Sequence, residues 1–299
     1  MNKSKTAFIA IVGKANVGKS SILNYLIGSK IAIVSSKPQT TRTRIMGVLT
    51  TDDNVQLVFT DTPGFHRPKD KLGEKMVQAV SDSISGVDAC LFVVDAGDKE
   101  LNAAETELIK KFRAEKMPVI LAVNKIDTIK DKADLILRIA ALSREYDFAA
   151  IVPVSAQNGS GMTDLMIELK NQSSENVHFF PDDTLTDQPE RVLAAEMIRE
   201  KMLRLLQKEI PHGIAVSIES MRERDNADIM DIEAVIYCEK ESHKGIIIGK
   251  CGSMLKKIST YARQDMENFF DIKVNLQCWV KVKEDWRNRE GLIHNFGLD

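Results

Sequence analysis

The run Gly13-Lys14-Ala15-Asn16-Val17-Gly18-Lys19-Ser20 stands directly after the apolar stretch Phe8-Ile9-Ala10-Ile11-Val12. Few octapeptides restrict a fold so strongly. The pattern GxxxxGK[ST], set between a buried strand and a helix, folds into a loop whose backbone N–H groups turn inward around phosphate oxygens. The glycines permit that turn, Lys19 reaches the outer phosphates, and Ser20 supplies a hydroxyl for Mg²⁺ at the start of a helix continued by Ser21. A ligand-free Gly-rich turn is the competing reading, and the strand–loop–helix setting disfavours it.

Behind this loop the chain alternates. Strands are expected at 8–12, 45–50, 55–60, 90–95, 119–123 and 151–154, and helices at 19–28, 72–85, 103–115, 130–146 and 161–170. Such alternation predicts an α/β fold with a doubly wound, mainly parallel sheet and helices on both faces. Ligands in such sheets bind at the carboxyl ends of the strands. The first domain is drawn at 6–172, followed by a polar linker at 173–190 punctuated by Pro181 and Pro189. The aromatics of His178-Phe179-Phe180 are expected to dock on one domain. Residues 191–299 form a smaller α+β domain in the order α-β-β-α-α-β. It opens with a helix halted by Pro211, and strands at 214–218 and 232–238 are joined through a polar Arg222–Asp228 turn. Ile246-Ile247-Ile248 is read as a strand entering a glycine loop. The loop opens a helix around Ser253–Ala262, another helical stretch extends to Phe270, and a last strand runs from Val274 to Val282.

Composition narrows the class without naming it. At 43% hydrophobic and 28% charged residues, the chain is ordinary for a globular protein. No run approaches the ~18 apolar residues of a membrane span, and no apolar signal core follows the N-terminus. A cytoplasmic protein is expected. The four cysteines, Cys90, Cys238, Cys251 and Cys278, show no CxxC pair and no His at ligand spacing, which argues against a disulfide framework or a structural metal. A net charge of −2 favours no particular partner, yet between Lys240 and Arg263 six Lys/Arg face the single acid Glu241.

The base is read from Asn124-Lys125-Ile126-Asp127, at the end of an expected strand. The two carboxylate oxygens of Asp127 match the N1–H and 2-amino donors that guanine has and adenine lacks. Asn124 serves the opposite edge of the base, Lys125 lays its stem along the ring and braces the phosphate loop, and a backbone N–H at Ser155-Ala156 donates to O6. These residues predict GTP or GDP and disfavour an ATPase. Asp61-Thr62-Pro63-Gly64 ends another strand. There Asp61 holds Mg²⁺ through water and the Gly64 N–H meets the γ-phosphate. In the polar loop Pro38–Arg44, Thr41 completes the Mg²⁺ shell only while that phosphate is present, so hydrolysis releases both loops. Many GTPases place a water-orienting glutamine after DxxG; here it is Phe65, beside His66, which is read as a solvated loop residue. Attention moves to Asn16, whose side chain is placed to hold K⁺ against the phosphates. The catalytic set is thus Lys19, Thr41, Gly64 and Asn16.

In the second domain Ile248-Gly249-Lys250-Cys251-Gly252 precedes a helix bearing Lys256 and Lys257. A GxxG loop at a helix start is how a KH module clamps single-stranded RNA. Trp279 and Trp286 are expected to pack in the core or between domains. The competing reading is a regulatory GTPase whose C-terminal domain binds a protein or a membrane surface.

Taken together, Gly13–Ser20, Gln39-Thr40-Thr41-Arg42, Asp61–Gly64, Asn124–Asp127, Ser155-Ala156, Gly249–Gly252, Trp279–Lys283 and Trp286-Arg287 resemble the bacterial Era family of GTPases along nearly the whole chain. The resemblance implies a TrmE–Era–EngA-type GTPase domain followed by a type II KH domain. It also implies binding to 16S ribosomal RNA near its 3′ end, a role in assembly and maturation of the small (30S) ribosomal subunit, and loose association with the inner face of the cytoplasmic membrane. A monomer in solution is expected. The family shares an apolar residue at the position of Phe65, whereas the tail Phe296-Gly297-Leu298 departs from its usual Leu-Gly-Tyr.

Overall fold

The computed structural model describes residues 3–37, 40–64, 70–98 and 100–298. Pro38, Gln39, Phe65 and His66, singled out above, lie outside the described residues. The chain divides into two compact units, the first comprising residues 1–32, 41–68 and 73–187, the second residues 33–40, 69–72 and 188–299.

The first unit runs β1 (Lys5–Val12), α1 (Lys19–Ile27), β2 (Ile45–Thr51), β3 (Val55–Asp61), α2 (Lys71–Ile84), β4 (Ala89–Asp95), α3 (Ala103–Glu115), β5 (Val119–Asn124), α4 (Lys132–Leu142), β6 (Ala150–Pro153), α5 (Met162–Lys170) and β7 (Ser174–Glu175). The sheet order is β2-β3-β1-β4-β5-β6, with β7 pairing to β1. All pairings are parallel except β2 on β3 and β7 on β1. The interior strands are continuous apolar runs because helices cover both faces; every residue of β3 and of β5 is buried.

Local chemistry sets the helix ends. Asn102 and Glu105 form a reciprocal capping box at the start of α3, both bonds at 2.9 Å. Asp131 caps α4 by accepting from Ala133 N–H at 2.9 Å, which starts that helix two residues later than its apolar pattern suggested.

The stretch read as a linker from residue 173 is counted with the first unit as far as Asp187. Gln56 is the reason its middle lies on the sheet. Its amide oxygen accepts from Phe179 N–H at 2.8 Å and Phe180 N–H at 3.1 Å, and its Nε2 donates to the Phe180 carbonyl at 2.9 Å. The Phe179 ring stands edge-on to Phe8 at 5.1 Å.

The second unit contains α6 (Glu190–Leu205), β8 (Ala215–Arg224), β9 (Ala227–Cys238), α7 (Glu241–Ile248), α8 (Ser253–Phe270), β10 (Lys273–Val282) and α9 (Glu290–Asn295). Its sheet is β10-β9-β8, antiparallel between β8 and β9 and parallel between β9 and β10. Met197, Ile198, Ile232, Ile236, Ile247, Ile258 and Met266 form its core.

One element differs from expectation. Ile246-Ile247-Ile248 closes helix α7 and is not a strand. Three β-branched residues in a row favour a strand locally, but only Ile247 enters the core, while Ile246 is 49% exposed. The helix α7 packs against α8 and β10, and that tertiary packing overrides the local preference. The two tryptophans also part company. Trp286 is fully buried, with Nε1 donating to the Gly213 carbonyl at 3.0 Å and Phe296 edge-on at 5.4 Å. Trp279 is 45% exposed.

Among the described residues no helix is long and apolar enough to cross a membrane, and no group of His, Cys, Asp and Glu is arranged to hold a metal ion. Cys90 and Cys238 are free and buried, as their apolar surroundings in the sequence suggested.

Candidate nucleotide and nucleic-acid sites

β1 delivers Gly13–Gly18 to the carboxyl end of the sheet, and α1 begins at Lys19. Gly18 has φ of 102°, and a Cβ there would fall 2.2 Å from Asn124 Nδ2, so only glycine admits the close approach of the two loops. Lys19 is buried and its ammonium donates to the carbonyls of Gly13 at 3.2 Å and Lys14 at 3.0 Å. Burial pushes its pKa down to about 8 against the attraction of Asp61. Lys14 pairs with Asp98. Asn16 sits exposed on the outer turn of the loop with φ of 66°, Ala15 and Val17 flank it, and Ser21 follows on α1.

Three oxygen-bearing side chains converge beside this loop. Ser20 Oγ donates to Asp61 Oδ2 at 2.6 Å, Thr41 Oγ1 donates to the same oxygen at 3.2 Å, and the two hydroxyls stand 2.9 Å apart. Asp61 is fully buried and its Oδ1 has no hydrogen-bond partner among the described residues. Desolvation raises its pKa, opposed first by the charge of Lys19 and then by the two hydroxyls. An all-oxygen set around a carboxylate with a spare buried lone pair fits a hard divalent cation such as Mg²⁺. Beyond Asp61, Thr62 Oγ1 donates to the Ile11 carbonyl at 2.8 Å, and Pro63 and Gly64 are buried. Gly64 lies so close that an added Cβ would meet Ala15 Cα at 2.6 Å, which brings its backbone against the phosphate loop.

The residues expected to read the base assemble at the ends of β5 and β6, with three groups engaged differently from that expectation. Asn124 is buried, its Nδ2 donates to the Val17 carbonyl at 2.8 Å, and its Oδ1 accepts from Ala156 N–H at 3.1 Å. Both ends of that amide therefore hold protein, and so do both N–H groups of the Ser155-Ala156 turn expected to offer a donor to guanine O6, that of Ser155 going to the Ser160 carbonyl at 2.9 Å. Lys125 sends its ammonium to Asp95 Oδ2 at 2.7 Å, so its brace runs to the end of β4. Asp127 is exposed, and Ser155 Oγ donates to its Oδ1, orienting the carboxylate. The sequence reading passed over Asp95 and Asp98. For Asp95 the signal was present: an acid at the carboxyl end of β4, as Asp61 is at the end of β3.

In the second unit Gly249–Gly252 joins α7 to α8. Gly249 has φ of 73°, and a Cβ would press to 2.7 Å of Met254 Cβ. Lys250, Cys251, Lys256 and Lys257 are exposed, with Lys257 Nζ 5.8 Å from the Tyr261 ring centroid, while Ile248 is half-buried behind the loop. A glycine loop between two helices, with cations on its open side, offers backbone N–H groups and charge to a phosphodiester.

Two family descriptions match the chain: a 50S ribosome-binding GTPase over residues 8–125 and a KH domain over residues 209–287. GTPase Era of Clostridioides difficile is 51% identical over 99% of both chains, and that of Ruminiclostridium cellulolyticum 48% identical over 98% of this chain and 97% of the relative. The chain belongs to the Era family of GTPases. Two solved Era structures share the whole architecture. An Era variant of Aquifex aeolicus bound to GDP·AlF4⁻ superposes with a TM-score of 0.94 at 38% identity, covering 98% of this chain and 99% of the other. Era in complex with MgGDPNP and nucleotides 1506–1542 of 16S ribosomal RNA gives 0.94 at 38% identity and 99% coverage of both. Membership of the Era family makes this chain a P-loop GTPase with a C-terminal KH domain.

Proposed function

We propose that this GTPase uses hydrolysis as a timer on RNA binding. Its ligand would be 16S ribosomal RNA near the 3′ end, and its role assembly and maturation of the small (30S) ribosomal subunit. The observation that carries this reading is the Gly249–Gly252 loop between α7 and α8, with Lys250, Cys251, Lys256 and Lys257 exposed around it. The solved Era complex with MgGDPNP and 16S RNA supports the choice of RNA.

On the nucleotide side, Gly13–Ser21 cradle the phosphates, and Lys19 neutralises charge at the outer ones. Ser20, Thr41 and Asp61 would hold Mg²⁺, which when bound spreads positive charge over the departing phosphate oxygens. The Gly64 N–H donates to the γ-phosphate, so loss of that phosphate frees Thr41 and Gly64 together. Asp127 reads guanine, with Asn124, Lys125, Ser155 and Ala156 holding the pocket in shape and Thr62 and Pro63 fixing the approach of Gly64. Asn16 would hold K⁺ against the phosphates. Functional boundaries at 6–172, 173–190 and 191–299, a monomer, a cytoplasmic location and loose contact with the inner membrane face belong to the same proposal.

The test is filter binding of a 3′-terminal 16S RNA fragment to the protein and to the Gly249→Asp/Gly252→Asp variant. Two carboxylates in the clamp should weaken binding at least tenfold while RNA-free GTPase activity stays unchanged. Equally weak binding by both proteins would move the second unit into the class of protein-binding domains.

A further inference from the structure

Arg199, Glu200 and Lys201 are consecutive on α6, and all three are buried, at 2%, 0% and 5% exposure. Successive helical residues point 100° apart, so no single apolar core accommodates them. Burying three charges is expensive, and their mutual attraction alone rarely repays the desolvation.

Glu200 accepts from the Val34 backbone N–H at 3.0 Å, from Lys201 at 2.8 Å and from Arg204 at 2.9 Å. Arg204 returns a bond to the Val34 carbonyl at 3.1 Å. Arg199 is clamped by Glu196, Nε to Oε1 at 2.6 Å, and its Nη2 donates to the carbonyl of Thr40. Lys37 reaches the Leu206 carbonyl just past the helix. Within the second unit, the described residues of 33–40 contain no helix or strand, yet Val34 and Thr40 are both pinned to one helix. The next residue in the chain is Thr41, whose hydroxyl stands beside Ser20 and Asp61.

We propose that Arg199 is a positioning residue for GTP hydrolysis: it fixes the Thr40 carbonyl and thereby the placement of the Thr41 hydroxyl. It touches no substrate. Its effect falls on the state in which Thr41 is engaged, so it discriminates GTP from GDP. This inference rests on the reading of Thr41 as a metal ligand.

The experiment uses the full-length protein with Arg199→Met, Arg199→Lys, Glu196→Gln and Thr41→Ala. Three quantities are read: kcat and KM for GTP; affinity for fluorescent GDP and for a non-hydrolysable GTP analogue; and hydrogen exchange of the 33–41 amides. Arg199→Met should lower kcat about tenfold and weaken the GTP analogue several-fold, with GDP affinity within about twofold and faster exchange confined to 33–41. Arg199→Lys should recover part of the loss, since one donor still reaches Thr40 without the guanidinium fork. Glu196→Gln, which leaves Arg199 in place but loosens its clamp, should give a milder version and covers the case in which Arg199→Met fails to fold. Normal kcat and normal exchange in Arg199→Met, or in Glu196→Gln if Arg199→Met does not fold, would overturn the proposal; so would parallel losses of GDP affinity, kcat and melting temperature. Full activity in Thr41→Ala would sink the underlying reading of Thr41, whereas an inactive Thr41→Ala beside a fully active Arg199→Met would remove Arg199 alone.

Discussion

Asn124 Nδ2 donates to the Val17 carbonyl at 2.8 Å, which ties the base-reading loop to the phosphate loop through one buried amide. Its Oδ1 takes the Ala156 N–H, so three segments at the carboxyl edge of the sheet meet on a single side chain. A residue in the base-reading motif thus works as a strut.

That division of labour separates two substitutions. Asn124→Ala should weaken GDP, GTP and inosine nucleotides alike, by about 1–3 kcal/mol, because it leaves buried partners unbonded. Asp127→Asn should instead change the preferred base. An amide in place of the carboxylate offers a donor to the 2-carbonyl of xanthine and repels the 2-amino group of guanine. Competition binding with GDP, IDP and XDP distinguishes them, and a purely local loss in Asn124→Ala, confined to guanine, would contradict the strut.

Lys19 gives a pH dependence of defined sign. Burial depresses its pKa from 10.5 to about 8, so between those values the unfolded chain holds more protons than the folded one. Its burial therefore costs stability fully below pH 8, and the cost fades as pH rises toward 10.5. Nucleotide binding runs the other way, since phosphates need the ammonium. GDP affinity of the nucleotide-stripped protein should be flat below pH 8 and then fall by up to about tenfold per pH unit, measured by fluorescence titration.

Asn16 lies on the exposed outer turn of the loop. If it helps seat a monovalent cation, turnover in K⁺ should exceed that in Na⁺ by about tenfold or more, and Asn16→Ala should erase the difference. Steady-state phosphate release in matched chloride salts reads this directly, and equal rates for the unmodified protein would dismiss the role.

The two tryptophans predict opposite phenotypes. Trp286→Ala empties a fully buried site and its bond to Gly213, and should cost about 3–5 kcal/mol in the second unit. Trp279→Ala, at a site 45% exposed, should stay within about 0.5 kcal/mol of the parent. Denaturant titration followed by circular dichroism compares them.

What the sequence made legible follows from the range of the interactions involved. That Ser20, Thr41 and Asp61 would come together beside the phosphate loop was readable, because the loop and Asp61 each sit at a strand end and Thr41 lies in a loop between them. Asn124 was recognised, but its partner at Val17 is distant in sequence, so its bracing role was hidden. The same holds for Lys125, whose partner Asp95 ends a different strand. Ile246–Ile248 misled because propensity is local, whereas the helix they close is held by packing against α8 and β10. Arg199, Glu200 and Lys201 carried no visible signal. On a helix, consecutive charges describe a solvated face until the residues packed around them are known.

The placement of β1 has a consequence for how the molecule comes apart. It is hydrogen-bonded to β3 along Lys5–Ile11 on one side, and to β7 and then β4 on the other through Val12. A strand so flanked is exposed only when the entire sheet opens. The phosphate loop hangs from its last residue and has no low-energy route to fraying at its root. In rising urea, bound nucleotide should leave at the concentration that dissolves the sheet, and a protease should find every other loop of the first unit before it cuts there.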